Sequence, residues 1–217
     1  RILVMARHVD RLRDVAPNLL DHRIQLISAD IGTAESLPFA DYVIHAAAST
    51  DARDYLARPQ QEKNNIQAGV YNYCRIASRF HEASKIVYVS SGAVYGVQPL
   101  NMPFLEEDWA GSSFDDLPLS KRDYAVAKQD AELAVRKMCE QSSLRASIAR
   151  CFSFVGPWLP REQHFAIGNF IQDGLKGKPI NVKATRPVYR SYMHADELVR
   201  WLMTMAENVR TDCRTYN

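Results

Sequence analysis

The sequence predicts an α/β fold: a parallel sheet with helices on both faces. Three observations carry this. Short apolar runs of strand length alternate with amphipathic stretches at helical spacing, as in strand–helix–strand units. The runs end on small or polar residues, and open parallel sheets bind ligands at the carboxyl ends of their strands. Finally, a run that stops at two hydroxyls and a glycine, Ser90-Ser91-Gly92, is followed by a helix-like stretch with a tyrosine and a lysine one turn apart, Tyr124 and Lys128.

Ile2 to Ala6 reads as the first strand, and Asp10 to Val15 as a short helix. Arg23 to Asp30 and Asp41 to Ala46 are the second and third strands. A long amphipathic helix fits Gln60 to Glu82, with Ile66, Val70, Tyr73, Cys74 and Ala77 at helical spacing. Lys85 to Ser90 is the fourth strand. A loop rich in turn formers and acids runs from Gln98 to Ser120 and leads into the helix of Tyr124 and Lys128. Ala146 to Val155 reads as a further strand, closed by Gly156-Pro157. Beyond it the pattern gives a helix near Phe165 to Leu175, short strands near Ile180 and Tyr189, and a helix from Ala195 to Ala206. Residues 1–156 are expected to form the main sheet domain, and residues 157–217 part of a cap or substrate lobe interleaved with the sheet. The chain opens on a strand and closes in what reads as the middle of one, so it looks cut at both ends.

Composition is that of a globular protein, with 47% hydrophobic and 24% charged residues among 217. A net charge of +2 and no basic run interleaved with aromatics disfavour nucleic acid as a partner. The four cysteines, Cys74, Cys139, Cys151 and Cys213, are scattered without Cys-x-x-Cys spacing, which reads as reduced cytoplasmic thiols. His81-Glu82 has no second histidine at metalloprotease spacing, so no metal site is expected. No apolar run approaches membrane-spanning length, and no membrane association is expected.

A hydroxyl at a strand end, a phenol and an amine make a proton-transfer site for a carbonyl or an alcohol. Residues at i and i+4 share a helix face, so Tyr124 and Lys128 can address one cleft. The cation beside the phenol is expected to lower the phenol's pKa. The pair alone is weak, since about 0.4 such pairs arise by chance in a chain of this composition. The plain alternative for Tyr124 is a half-exposed helix tyrosine. More informative is the set of strand ends Arg7, Asp30, His45-Ala-Ala-Ala48, Ser90-Ser91 and Ser153, although each alone could be a turn residue or a cap.

At these residues the chain resembles the extended short-chain dehydrogenase/reductases, the NAD-dependent epimerase/dehydratase family that acts on nucleotide sugars. The resemblance runs from Ile2 to Asn217 and implies a Rossmann-type fold with NAD or NADP as cofactor. Asp41-Tyr-Val-Ile-His-Ala-Ala resembles the strand beneath the cofactor, with Ala46, Ala47 and Ala48 at its end. Ala29-Asp30-Ile31 is similar to the adenine-side segment, and Asn65 falls on the family's helix asparagine. Val89-Ser-Ser91-Gly-Ala-Val-Tyr-Gly96 matches the segment of the catalytic hydroxyl, registering on Ser91, and Tyr124 and Lys128 match the catalytic pair. Arg150-Cys-Phe-Ser153 and Tyr189-Arg190-Ser-Tyr-Met-His194 resemble substrate-lobe motifs, which makes Ser153 and Arg190 substrate contacts. For Arg190 the plain alternative is an ion pair with Asp196 or Glu197.

The departures are informative. The nine glycines nowhere form G-x-x-G-x-x-G, the element that cradles pyrophosphate, so the resemblance implies that residues 1–156 are an NAD(P)-binding Rossmann-type domain lacking the family's first strand and glycine-rich loop. Gly92-Ala93 stands where the 4,6-dehydratases carry Asp-Glu, which argues against water elimination. Ser153 replaces an asparagine that contacts phosphate. Ala6-Arg7 falls where NAD-preferring members often carry an acid, so Arg7 either pairs with a 2′-phosphate or is a solvated arginine. The resemblance implies an epimerase or 4-keto reductase of a nucleotide sugar, with dehydration or decarboxylation as alternatives. A non-catalytic NAD(P)-binding sensor or scaffold is the alternative from another class. The long helices around Gln60–Glu82 and Tyr124–Gln141 imply a homodimer by the same resemblance.

Overall fold

The computed structural model describes residues 1–48, 57–157, 159, 161, 165–185, 188 and 190–217. Eight strands and five α-helices are present among them: β1 (Ile2–Ala6), α1 (Leu12–Val15), β2 (Ile24–Ser28), β3 (Tyr42–His45), α2 (Pro59–Phe80), β4 (Lys85–Ser91), α3 (Leu119–Gln141), β5 (Arg145–Cys151), β6 (Ser153–Val155), α4 (Ala166–Leu175), β7 (Tyr192–His194), α5 (Ala195–Glu207) and β8 (Thr215–Tyr216). Every strand pairing is parallel. The central sheet has the order β3-β4-β5-β8, while β1-β2 and β6-β7 are separate pairs among the described residues.

The central strands are covered on both faces, and β4 shows how. Ile86 and Tyr88 face a core shared with α2 and α3, through Ile66, Val70, Tyr73, Ala127, Ala131 and Val135. Val87 faces the other way, into a second core with Leu202, Ala206 and Val209. Alternation along a strand sends neighbours to opposite faces, so one strand serves two helix layers. Small residues on the inner face of α3, Ala127 and Ala131, are fully buried and let the helix lie close on the sheet. In α2 the buried positions Glu62, Ile66, Gly69, Tyr73 and Ile76 recur at three- and four-residue spacing, and Pro59 sits in the first turn, where its missing N–H costs nothing. The pair β1-β2 is tied to the same α2. Asn72 Nδ2 donates to the carbonyls of Ile31 (2.7 Å) and Ala34 (2.8 Å), just past β2.

Two expectations are corrected. The single strand expected over Ala146 to Val155 is two strands, because the chain leaves the central sheet at Phe152 and Ser153–Val155 pairs with Tyr192–His194 instead. Phe152 turns onto the segment after β4, with its ring 6.4 Å from that of Tyr95. The strand expected near Ile180 is not formed: residues 177–184 are exposed and without regular structure, so nothing offsets the entropy of ordering an extended strand there. Tyr189 lies outside the described residues, and the nearby strand begins at Tyr192.

Candidate active site

The site is built where β4 ends. Its two serines diverge. Ser90 Oγ donates to Glu132 Oε1 at 2.6 Å in a buried contact. Ser91 Oγ accepts the backbone N–H of Ala93 (3.2 Å), capping the 3-10 turn Gly92–Tyr95, and also hydrogen-bonds Tyr124. The turn closes on Gly96, whose φ of 71° lies in the left-handed region that favours glycine. Lys128, one turn after Tyr124, is 4% exposed. Its Nζ donates to the carbonyl of Val89 at 2.9 Å and lies 3.5 Å from the Tyr88 hydroxyl. Ser91, Tyr124 and Lys128 thus gather within one turn of α3 and the last residues of β4.

The electrostatics differ from the expectation of a lowered phenol pKa. Burial raises the Tyr124 pKa above the ordinary value, the hydrogen bond from Ser91 pulls it back, and the nearby Cys151 adds to the rise. The lysine carries the larger perturbation. Burial pushes Lys128 down to about 8, with Cys151 and Glu132 opposing. Helical spacing places two groups on one face, but their depth decides which form is favoured, and desolvation disfavours both the phenolate and the ammonium. Cys151 stands directly across from Ser91 in the β4–β5 register, and its thiol is pushed up to about 11 by burial.

The residues expected to hold a cofactor lie around α2. Asp30, exposed just past β2, accepts the Gly32 N–H at 2.8 Å. Ile31 presses on Gly69, where an added Cβ would meet Ile31 Cγ2 at 3.3 Å. Asn65 stands one turn before Gly69 and donates to Glu62 Oε1 (3.3 Å). Ala46 and Ala47 are exposed past the end of β3, while Ala48 packs on the core. Arg7, exposed past β1, accepts a hydrogen bond from Ser28 Oγ (3.2 Å) at its carbonyl. Ser153 and Arg190 belong to another part of the molecule, the β6-β7 pair: Ser153 registers with Tyr192, and Arg190 is exposed two residues earlier. Phe152 connects this lobe to the site. An added Cβ at Gly92 would lie 2.6 Å from Phe152 ring atoms, so no side chain fits at position 92 unless that ring moves.

Several groups central to the site were not singled out from the sequence. Glu132 receives Arg150 through Nη2–Oε2 (2.8 Å) and Nε–Oε1 (3.0 Å), with side-chain exposures of 12% for Arg150 and 6% for Glu132. Arg150 Nη1 also donates to Tyr95 OH (2.7 Å) and to the carbonyl of Glu107 (3.0 Å). Tyr95 in turn bonds Asn217 (2.8 Å) and stacks on Trp109 with ring centroids 5.6 Å apart. This chain of contacts runs from behind Ser91 to a cleft of about 550 Å³ lined by Met102, Phe104, Glu106, Asp108 and Trp109. The sequence signals were faint: Glu132 is four residues past Lys128 on the same helix face, and Glu62 is an acid on the apolar stripe of α2.

Comparison with known proteins agrees with this geometry. The pattern of the NAD dependent epimerase/dehydratase family matches residues 6–217. UDP-glucuronic acid decarboxylase 6 of Arabidopsis thaliana is 26% identical over 190 residues, covering 87% of this chain and 53% of the relative. The chain therefore spans about half the length of that relative. Among solved structures, the UDP-N-acetylglucosamine 4-epimerase of Methanobrevibacter ruminantium M1, in complex with UDP-N-acetylmuramic acid, superposes with a TM-score of 0.80 at 23% identity, over 99% of this chain and 67% of that one. The UDP-glucuronic acid 4-epimerase of Bacillus cereus, in complex with UDP-glucuronic acid and NAD, gives 0.77 at 19% identity, over 99% and 68%. These likenesses establish the fold.

Proposed function

Because the chain belongs to the NAD dependent epimerase/dehydratase family, we propose that it carries the acid–base face of an NAD(P)-dependent enzyme that epimerises or reduces at C4 of a nucleotide-activated sugar. The observation that supports this reading most is the joining of Ser91, Tyr124 and Lys128 at the end of β4. Ser91 holds the reacting oxygen. Tyr124 removes or returns its proton. Lys128, with a pKa near 8, changes charge close to neutral pH, where proton exchange with the phenol is easiest.

The residues present fit a dinucleotide on the nicotinamide and adenine sides. Ala46 and Ala47 are small and exposed past the end of β3, the strand paired with β4, and the Asp30 carboxylate is exposed at a strand end. The glycine-rich cradle for the pyrophosphate is not among these residues. NAD(P), when bound, supplies hydride exchange with a sugar carbon. NAD is supported by the cofactor named for the Bacillus cereus structure, and an exposed Arg7 is compatible with NADP. In this reading residues 1–156 handle the cofactor and residues 157–217 belong to the substrate lobe, with Ser153 and Arg190 toward the nucleotide diphosphate. A cytoplasmic homodimer completes it. No helix among the described residues is long and apolar enough to cross a membrane.

The packing of Phe152 at Gly92 weighs against dehydration, which needs an acid and a base beside the catalytic hydroxyl. Decarboxylation of a UDP-glucuronate-like sugar is the second reading, favoured by the relative of that activity. The test is product analysis with a panel of UDP-sugars and both cofactors. A C4 epimer or 4-hydroxy product supports the first reading, and CO₂ with a pentose product the second. Cofactor binding without turnover of any sugar would leave the sensor or scaffold.

A further inference from the structure

Among the described residues, the groups around Lys128 can be named. On its own helix are Glu132 and, one turn earlier, Tyr124, and on β5 is Cys151. On β4 are the carbonyl of Val89 and the side chain of Tyr88, which offers both its hydroxyl at 3.5 Å and its ring face, with the centroid 5.2 Å from Nζ. Beyond Tyr88 on β3 stands His45, 7% exposed, its ring 5.6 Å from that of Tyr88 and 4.9 Å from that of Tyr73. Neither His45 nitrogen makes a hydrogen bond of ordinary geometry. Burial and, to a lesser degree, Lys128 hold the imidazole down to about 4, so His45 stays neutral beside the ammonium.

The Val89 carbonyl would be present whatever residue stood at position 89. The phenol at position 88 is different. Leucine or valine would fill that core position as well, while a buried tyrosine hydroxyl needs a partner. An ammonium held over a ring face in a desolvated site gains more than it would in water. We infer that Tyr88 is a positioning residue for Lys128, its ring face and hydroxyl holding the buried ammonium in place beneath the Ser91–Tyr124 pair. The consequence for turnover rests on the function proposed above; the contact itself does not.

The sign of the effect is fixed. Tyr88 favours the charged amine, so its removal must lower the Lys128 midpoint and populate the neutral amine at lower pH. The measurement is an NMR titration of the chain labelled at lysine with ¹³C, following the Cε resonance, with Lys128→Met identifying the signal. Tyr88→Leu removes ring and hydroxyl and should lower the midpoint by about one pH unit. Tyr88→Phe keeps the ring and should lower it by less. Tyr73→Phe alters a buried phenol of the same core that bonds His81 (3.2 Å), and should leave the midpoint where it is. If Tyr88→Leu fails to fold, Tyr88→Phe still decides the sign. A Lys128 midpoint unchanged in Tyr88→Phe and in any folded Tyr88→Leu overturns the inference, as does an equal shift in Tyr73→Phe. The titration needs neither substrate nor cofactor, so a chain that turns over no nucleotide sugar still answers it.

Discussion

The end of β4 and the β6-β7 lobe treat their polar residues in opposite ways. At β4, Ser90, Lys128, Glu132 and Arg150 are enclosed, and each has a partner on another element. In the lobe, Arg190 and Tyr192 are exposed, and so are Leu175, Ile180 and Val182 nearby in sequence. Buried polar groups must be satisfied or they are costly, so the first region has its geometry imposed by the fold. The second lies at the surface, where substitutions usually cost little. In the proposed reading, proton handling is then fixed by the core and substrate choice is left to the surface.

The largest effect should come from opening the enclosed region. Glu132 joins Ser90 to Arg150, and removing it leaves a guanidinium in a mostly buried position. Glu132→Ala should cost about 3 to 5 kcal/mol of stability, as for other buried pairs that lose one partner, read from the urea midpoint. A loss below about 1 kcal/mol would mean that the contact is as weak as a surface pair, and the contrast between the regions would fail.

Next is Tyr124→Phe, which keeps the ring packing and removes the proposed proton carrier. Turnover should fall at least ~100-fold while the melting temperature stays close to that of the parent. Near-normal turnover would remove Tyr124 from the chemistry.

The adjacent serines sharpen the contrast further, since the proposed function divides one strand end between a structural and a catalytic hydroxyl. Ser90→Ala breaks a 2.6 Å bond to a buried carboxylate and should cost about 1 to 3 kcal/mol of stability, with a modest change in kcat. Ser91→Ala removes the partner of Tyr124 and should do the reverse. If Ser90→Ala proves the more damaging to kcat, Ser91 is not the hydroxyl that meets the reacting oxygen.

How far the site was legible follows from the sequence distance of its contacts. The strand and helix patterns of β1 to β4, α2 and α3 are local, and the register of the family resemblance singled out Ser91 over Ser90. Tyr124 and Lys128 are four residues apart, so their shared face could be read. The contact from Ser90 to Glu132 spans 42 residues and that from Tyr95 to Asn217 spans 122, and no local pattern encodes them. The same limit explains the phenol, since spacing gives direction on a helix but not depth beneath neighbouring elements. It explains Phe152 as well. Its run reads as continuous strand, and only the close approach of its ring to Gly92 shows why the chain departs there.

The smallest effect on the fold, and the finest test of the lobe, is expected at Arg190. Its side chain is exposed, so Arg190→Ala should leave the urea midpoint nearly unchanged, as for other surface substitutions. Its effect should appear in KM for the nucleotide sugar. A guanidinium matches diphosphate oxygens with paired charge-assisted hydrogen bonds that an ammonium cannot reproduce. Arg190→Lys should therefore already raise KM, and Arg190→Ala should raise it further. Cofactor affinity should hold in both, because Asp30, Ala47 and Ser91 lie on other elements. The experiment is steady-state kinetics with varied sugar nucleotide at saturating cofactor. If Arg190→Ala keeps the parent KM, the diphosphate is held elsewhere, and the surface lobe loses its claim to substrate choice.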